Sequence, residues 1–251
     1  MHQAPFDLHE LKAELDEYGF VVLHHLIPAD QANHMAIRLM EIMNRQPEAH
    51  ALYQNLRGVF NYDDEDTFVP LVTHPVYLEL ATHMVGEGMQ MAEVGAVWNK
   101  PCAPAGGLHA DVPVGWFAQQ GRSIPGVCFM VNCIWMLTEF TRENGATRLM
   151  PFSHHSRRCP RSGVEYRHLV SAEGPPGSIV IFHGATWHGS GANITRDSQR
   201  LGVSSGFHAH WMDPRAGGWY LLTRGVRDRM PPAVQQMNRR VVERPGQMIG
   251  E

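Results

Sequence analysis

The chain has 251 residues, enough to bury a sizeable core and within the range of one domain. Apolar residues make up 43% and charged residues 18%, below the roughly 25% charge of average soluble chains, which argues against disorder. A net charge of −4 gives no nucleic-acid footprint and no polybasic membrane patch, so a small-molecule partner is expected.

The opening MHQAPFDLHELKAELDEYG carries neither the cationic stretch nor the apolar core of a leader. No run approaches the roughly 18 apolar residues of a spanning helix, so a cytoplasmic protein is expected. Leu8, Leu11, Leu15 and Tyr18 recur at helical spacing and stop at Gly19. Phe20 to Leu23 then reads as a short buried strand. A second helix is predicted from near Pro28 to about Arg45, and a third from Pro75 to Gly86.

From Met89 onward the pattern changes to β-rich runs: Met89 to Trp98, Val127 to Leu137, Ser178 to Phe182 and Arg200 to Trp211. Loops rather than helices separate them, which favours an antiparallel sandwich or barrel over a parallel sheet. The fold class is α+β with a mainly β core. One domain is expected, with a helical front over about 1–88, a β core over about 89–212 and a tail over 213–251. Pro231 to Val242 is expected to form a last helix, read as a solvated surface element in preference to a substrate lid or dimer arm. Cys102, Cys128, Cys133 and Cys159 contain no CxxC pair and are read as free thiols.

Sixteen histidines make a metal site worth seeking. In Gly106-Gly107-Leu108-His109-Ala110-Asp111, an imidazole and a carboxylate stand two residues apart. On an extended segment such residues share a face and can converge on one cation. A third ligand comes from His183 or His188, both at the end of the apolar strand from Ser178. Two histidines and one carboxylate form the facial triad of non-haem Fe(II) oxygenases, which leaves coordination positions open. An arginine on the next β-like run, Arg200, can hold a carboxylate.

Taken together these segments resemble the phytanoyl-CoA dioxygenase family of Fe(II)/2-oxoglutarate oxygenases, in its natural-product tailoring branch. The likeness rests on Gly19 to Val22, on Trp98-Asn99-Lys100-Pro101, and on His109-Ala110-Asp111. It continues through Trp135, Glu143-Asn144-Gly145-Ala146-Thr147-Arg148 and Pro151-Phe152-Ser153-His154 to His188-Gly189-Ser190-Gly191-Ala192-Asn193 and Arg200. The resemblance spans about residues 15–212. It implies a double-stranded β-helix, or jelly roll, with flanking helices, and makes His109, Asp111 and His188 the iron ligands. It places Arg200 and Ser190 on the distal carboxylate of 2-oxoglutarate, with Thr147, Lys100 and Trp135 as further contacts. It also implies O2-dependent decarboxylation of the co-substrate coupled to hydroxylation or ring closure of a secondary metabolite, including antibiotic intermediates. Asp111 argues against the related halogenases, which carry Gly or Ala at that position.

Two departures stand out. A Pro-Phe-Ser-His turn replaces the usual Pro-Gly-Ser-His, and Arg200 follows His188 by twelve residues rather than eleven, which keeps Arg196 as a substitute. Other readings remain open at this level. His208 and His210 with His188 would make a cupin-like metal or ligand site without 2-oxoglutarate turnover. Asn132, an amide in an apolar run, either braces the core or faces the cofactor. Trp116 is a candidate to stack on a substrate ring. Arg157, Arg158 and Arg161 are read as a solvated loop before an anion site, and His154 and His155 as turn residues. The protein is expected to act as a monomer or homodimer.

Overall fold

The computed structural model describes residues 5–111, 116–117, 120–123, 126–212 and 222–245. Helix α1, Leu8–Tyr18, starts where the Asp7 carboxylate accepts the His9 and Glu10 N–H groups at 2.9 and 3.3 Å, and ends at Gly19 in the left-handed region. Strand β1, Phe20–Leu23, follows, then α2, Ala29–Asn44, whose buried stripe is Ala32, Met35, Ala36, Leu39, Ile42 and Met43. Strand β2 is Tyr53–Leu56, and α3, Val69–Thr73, precedes α4, Pro75–Val85, which has proline in its first turn. The β-rich part holds β3, Gln90–Asn99; β4, Met130–Met136; β5, Thr147–Leu149; and β6, Val170–Ser171. It ends with β7, Ile179–His183; β8, His188–Ser190; and β9, Arg200–His208. Two short helices close the described chain, α5 at Arg224–Arg229 and α6 at Pro232–Met237. Part of the expected tail, 213–221 and 246–251, lies outside the described residues.

A six-stranded sheet runs β1-β7-β4-β9-β3-β2 and a three-stranded sheet runs β6-β5-β8, with every strand pair antiparallel. This is the double-stranded β-helix with flanking helices. Side-chain alternation splits each strand between two environments. Val131, Cys133 and Trp135 of β4 join Val203 and Phe207 of β9 in a large core that includes Leu11, Leu15, Leu39, Tyr77 and Leu80 of the helices. The opposite face meets the small sheet, where Val22, Met136, Phe140, Leu149, Val180 and Phe182 form a second, smaller core. At roughly 1.5–3 kcal/mol per fully buried large apolar side chain, the helix-covered face dominates stabilisation. The space between the sheets that the small core does not fill is a cavity lined by both polar and apolar side chains.

The altered turn is accommodated directly. Phe152 takes a left-handed conformation (φ 62°), the geometry a glycine adopts freely, and its ring packs 5.1 Å from that of Tyr18. Ser153 Oγ donates to Met150 O at 2.6 Å and accepts the Trp187 N–H at 2.9 Å, which ties this turn to the residue before His188.

Candidate active site

His109 and His188 face each other across an antiparallel bridge, each backbone N–H donating to the other's carbonyl at 2.9 Å. Two residues on, the Asp111 N–H donates to Gly184 O at 2.9 Å, which fixes the extended segment beside β8. His109 Nε2 lies 3.7 Å from Asp111 Oδ1, and His188 Nε2 lies 3.6 Å from Asp111 Oδ2. The imidazole centroids are 4.3 Å apart. Among the described residues this is the one group of three or more His, Cys, Asp or Glu side chains whose ligand atoms all lie within 4.8 Å of one another.

The outward nitrogens are already engaged: His109 Nδ1 is 3.1 Å from Gly107 O, and His188 Nδ1 is 2.9 Å from Thr186 O. Because a carbonyl only accepts, each Nδ1 carries the proton and each Nε2 turns its lone pair toward the space the three side chains share. Burial of His188 lowers its pKa, and Asp111 only partly offsets this, so the neutral, metal-binding form is favoured. This donor set, N2O with open positions, fits Fe(II).

Arg200 begins β9 opposite Asn99 and is 1% exposed. Its guanidinium carbon lies 4.9 Å from the Phe140 ring, and neither Nε nor Nη1 has a hydrogen-bond partner. Burial pulls its pKa down to about 10, which still leaves the cation charged at neutral pH. A buried cation lacking partners costs several kcal/mol and marks where an anion belongs. Thr147 Oγ1 is also buried without a partner, and Thr147 pairs directly with Ser190 across β5 and β8. These three residues and the His-Asp-His group line one cavity of about 290 Å³. The orphaned donors at one end and the preformed ligands at the other match a keto acid that reaches from metal to arginine.

The structure sorts the remaining sequence candidates. Arg196 is exposed, so Arg200 is the arginine of the cavity. His183 accepts the Ala185 N–H on Nδ1 at 2.9 Å and lies 5.3 Å from the His154 ring in a separate cavity. Trp135 does not reach the site: its odd-numbered position on β4 turns it into the helix-covered core, with ring contacts to His74 and Tyr77 at 6.0 and 6.2 Å. Lys100 does not reach it either, since Nζ binds Ala49 O and lies 4.4 Å from the Trp98 ring centroid. Trp116 is 49% exposed, edge-on to Phe117 at 5.3 Å, and is not on the cavity wall. His208 and His210 line another cavity and do not converge on His188. Arg157 and Arg161 also face other cavities.

Asn132 faces the site, its Nδ2 donating to Asp111 Oδ2. Four lining residues escaped the sequence: Tyr53, Asn55 and Arg57, on or just beyond β2, and Glu93 of β3. Their signal was the alternation of polar Tyr53, Asn55 and Arg57, too short to mark a strand alone.

Comparison with known proteins agrees with this geometry. A dioxygenase from Aspergillus fumigatus, af480, is 26% identical over 247 residues, covering 92% of this chain and 76% of that protein. The multifunctional dioxygenase ausE of Emericella nidulans is 30% identical over 227 residues, covering 80% of this chain and 72% of that protein. Among solved structures, HygX from Streptomyces hygroscopicus with nickel, 2-oxoglutarate and hygromycin B bound superposes with a TM-score of 0.66 at 15% identity, covering 82% of this chain and 88% of that one. The family model described as phytanoyl-CoA dioxygenase (PhyH) matches residues 15–201. A match over most of the chain makes this protein a member of the phytanoyl-CoA dioxygenase family.

Proposed function

We propose that this chain is an Fe(II)- and 2-oxoglutarate-dependent oxygenase that hydroxylates or oxidatively cyclises a small secondary metabolite. The observation that carries the proposal is the buried Arg200 guanidinium, whose Nε and Nη1 have no hydrogen-bond partner, in the same cavity as His109, Asp111 and His188. A metal-binding protein without a co-substrate would have no use for that cation. Fe(II) with 2-oxoglutarate supplies O2-dependent oxidative decarboxylation coupled to attack on an unactivated C–H bond. The chain's own part is positional. His109, Asp111 and His188 would hold the metal, Arg200 with Thr147 and Ser190 would hold the distal carboxylate, and the two sheets limit water.

The relatives named dioxygenases and the HygX structure with hygromycin B support a natural-product substrate. Anaerobic titration of the apo-protein with Fe(II) and then 2-oxoglutarate tests the proposal. The expected result is a weak visible metal-to-ligand charge-transfer band that His188→Ala abolishes. Metal binding with no such band on adding 2-oxoglutarate would overturn the co-substrate assignment.

A further inference from the structure

The inner face of the large sheet can be followed in rows. Glu93 of β3 stands opposite Gly206 of β9, and Gly206 stands opposite Asn132 of β4, which holds Asp111. Glu93 therefore belongs to the metal end of the sheet. Arg200, opposite Asn99, lies six residues farther along both strands. The arginine end, which takes the distal carboxylate, and the Glu93 end of the sheet are therefore distinct.

Glu93 is held in a set position. Its Oε2 accepts from Arg57 Nη1 at 2.8 Å, with the two side chains 16% and 48% exposed. A Cβ on Gly95 would lie 2.8 Å from Glu93 Oε1 and 3.0 Å from Ser204 Oγ, and a Cβ on Gly206 would lie 2.2 Å from Asn132 Oδ1. Glycine at both places lets the carboxylate and the amide lie flat on the sheet and form a polar cavity floor. The metal and 2-oxoglutarate assignments proposed above make no use of this pair, although it lines the same cavity.

Charge and solvation then identify what the pair takes. With Asp111 engaged by a cation and Arg200 by a carboxylate, the other charged side chains that line the cavity among the described residues, Glu93 and Arg57, are of opposite sign and paired with each other. An anionic or cationic substrate would leave an uncompensated charge there. A purely apolar one would strip water from the ion pair and return no hydrogen bonds. A hydroxyl group both donates and accepts, which suits a carboxylate beside a guanidinium.

We propose that Glu93 and Arg57 form the substrate-orienting subsite, which takes adjacent hydroxyl groups of a neutral molecule and so selects the C–H bond that faces the metal. This rests on the oxygenase function proposed above and deepens it by naming a substrate class.

Three probes sharing one ring separate the alternatives: trans-cyclohexane-1,2-diol, cyclohexanecarboxylate and cyclohexylammonium. Binding to the full chain is read by saturation-transfer NMR, anaerobically with Fe(II) and 2-oxoglutarate. The diol is expected to bind the wild type, and its affinity is expected to fall about tenfold or more in Glu93→Gln and in Arg57→Gln. Glu93→Gln should gain the carboxylate, Arg57→Gln should gain the ammonium, and the double variant should lose the diol and gain neither ion. Melting curves confirm that each variant folds. Equal diol binding in wild type and variants, no diol binding by wild type, or preference of the wild type for either ion overturns the subsite. The charge-transfer band recorded on the same samples separates the two failures. Its absence in wild type overturns the oxygenase function, whereas its persistence with unchanged diol binding overturns the subsite alone.

Discussion

The side-chain amide of Asn132 donates to Oδ2 of Asp111 from the floor of the cavity. The carboxylate stands between the two imidazoles, with Oδ1 toward His109 and Oδ2 toward His188. The amide restrains its rotation and favours presentation of one oxygen to a cation. Asn132→Ala is expected to fold and to weaken Fe(II) binding by about 10–100-fold, the usual effect of removing a partner of a metal ligand. Anaerobic Fe(II) titration checks this, and wild-type affinity in the variant would show that the amide does not hold the ligand.

Under the proposed function, the cost that buried Arg200 carries in the free protein is one that 2-oxoglutarate relieves. Arg200→Met removes a buried cation whose Nε and Nη1 lack partners, so the apo variant is expected to melt above the apo wild type. The wild type should gain about 2.7 kcal/mol at 2-oxoglutarate concentrations 100 times Kd, and the variant close to nothing. Melting curves with and without the keto acid check both halves. An apo variant less stable than wild type would mean that the guanidinium is compensated within the fold.

The Glu143 to Thr147 stretch contains a packing device. Asn144 Oδ1 accepts the Thr141 N–H and Asn144 Nδ2 donates to Glu139 O, each at 2.9 Å. Gly145 follows at φ 89°, where a Cβ would lie 2.2 Å from Asn99 Nδ2 and 2.8 Å from Gly191 O. Gly145→Ala is expected to destabilise the protein by at least about 2 kcal/mol, from left-handed strain plus displacement of backbone that cannot yield. Urea unfolding measures this, and a loss indistinguishable from zero would show that the turn relaxes freely.

What was legible in the sequence follows from what is local. Helices with a capping residue and an apolar stripe, such as Leu8–Tyr18 and Pro75–Val85, lie within one or two residues of their expected bounds. His109 and Asp111 were legible because i and i+2 share a face on any extended segment. Side choice on a central strand is not local. Trp135 and Asn132 occupy the same apolar run, and only the pairing of β4 with β7 and β9 sends the amide to the cavity and the indole to the helices. Strand β2 escaped because its four residues depend on pairing with β3, and Arg57 and Glu93 went unnoticed with it. The sequence already preferred Arg200 to Arg196, and the register that buries Arg200 opposite Asn99 keeps that choice.

A final prediction concerns acid. His183 sits at the end of β7, where burial, reinforced by the neighbouring His154 and His155, takes its pKa down to about 3. The fold keeps this ring neutral, and its Nδ1 needs a free lone pair to accept the Ala185 N–H. The unfolded chain instead takes up the proton below about pH 6.5. Unfolded protein therefore binds more protons, and stability is lost as pH falls from about 6.5 toward 3. His154, also lowered by burial, acts with the same sign. His183→Asn keeps an acceptor for Ala185 and removes the titration. Between pH 7.5 and 5.0 the wild type is expected to lose about 2 kcal/mol more than this variant. Urea unfolding at the two pH values measures the difference, and parallel losses would place the acid sensitivity in other groups.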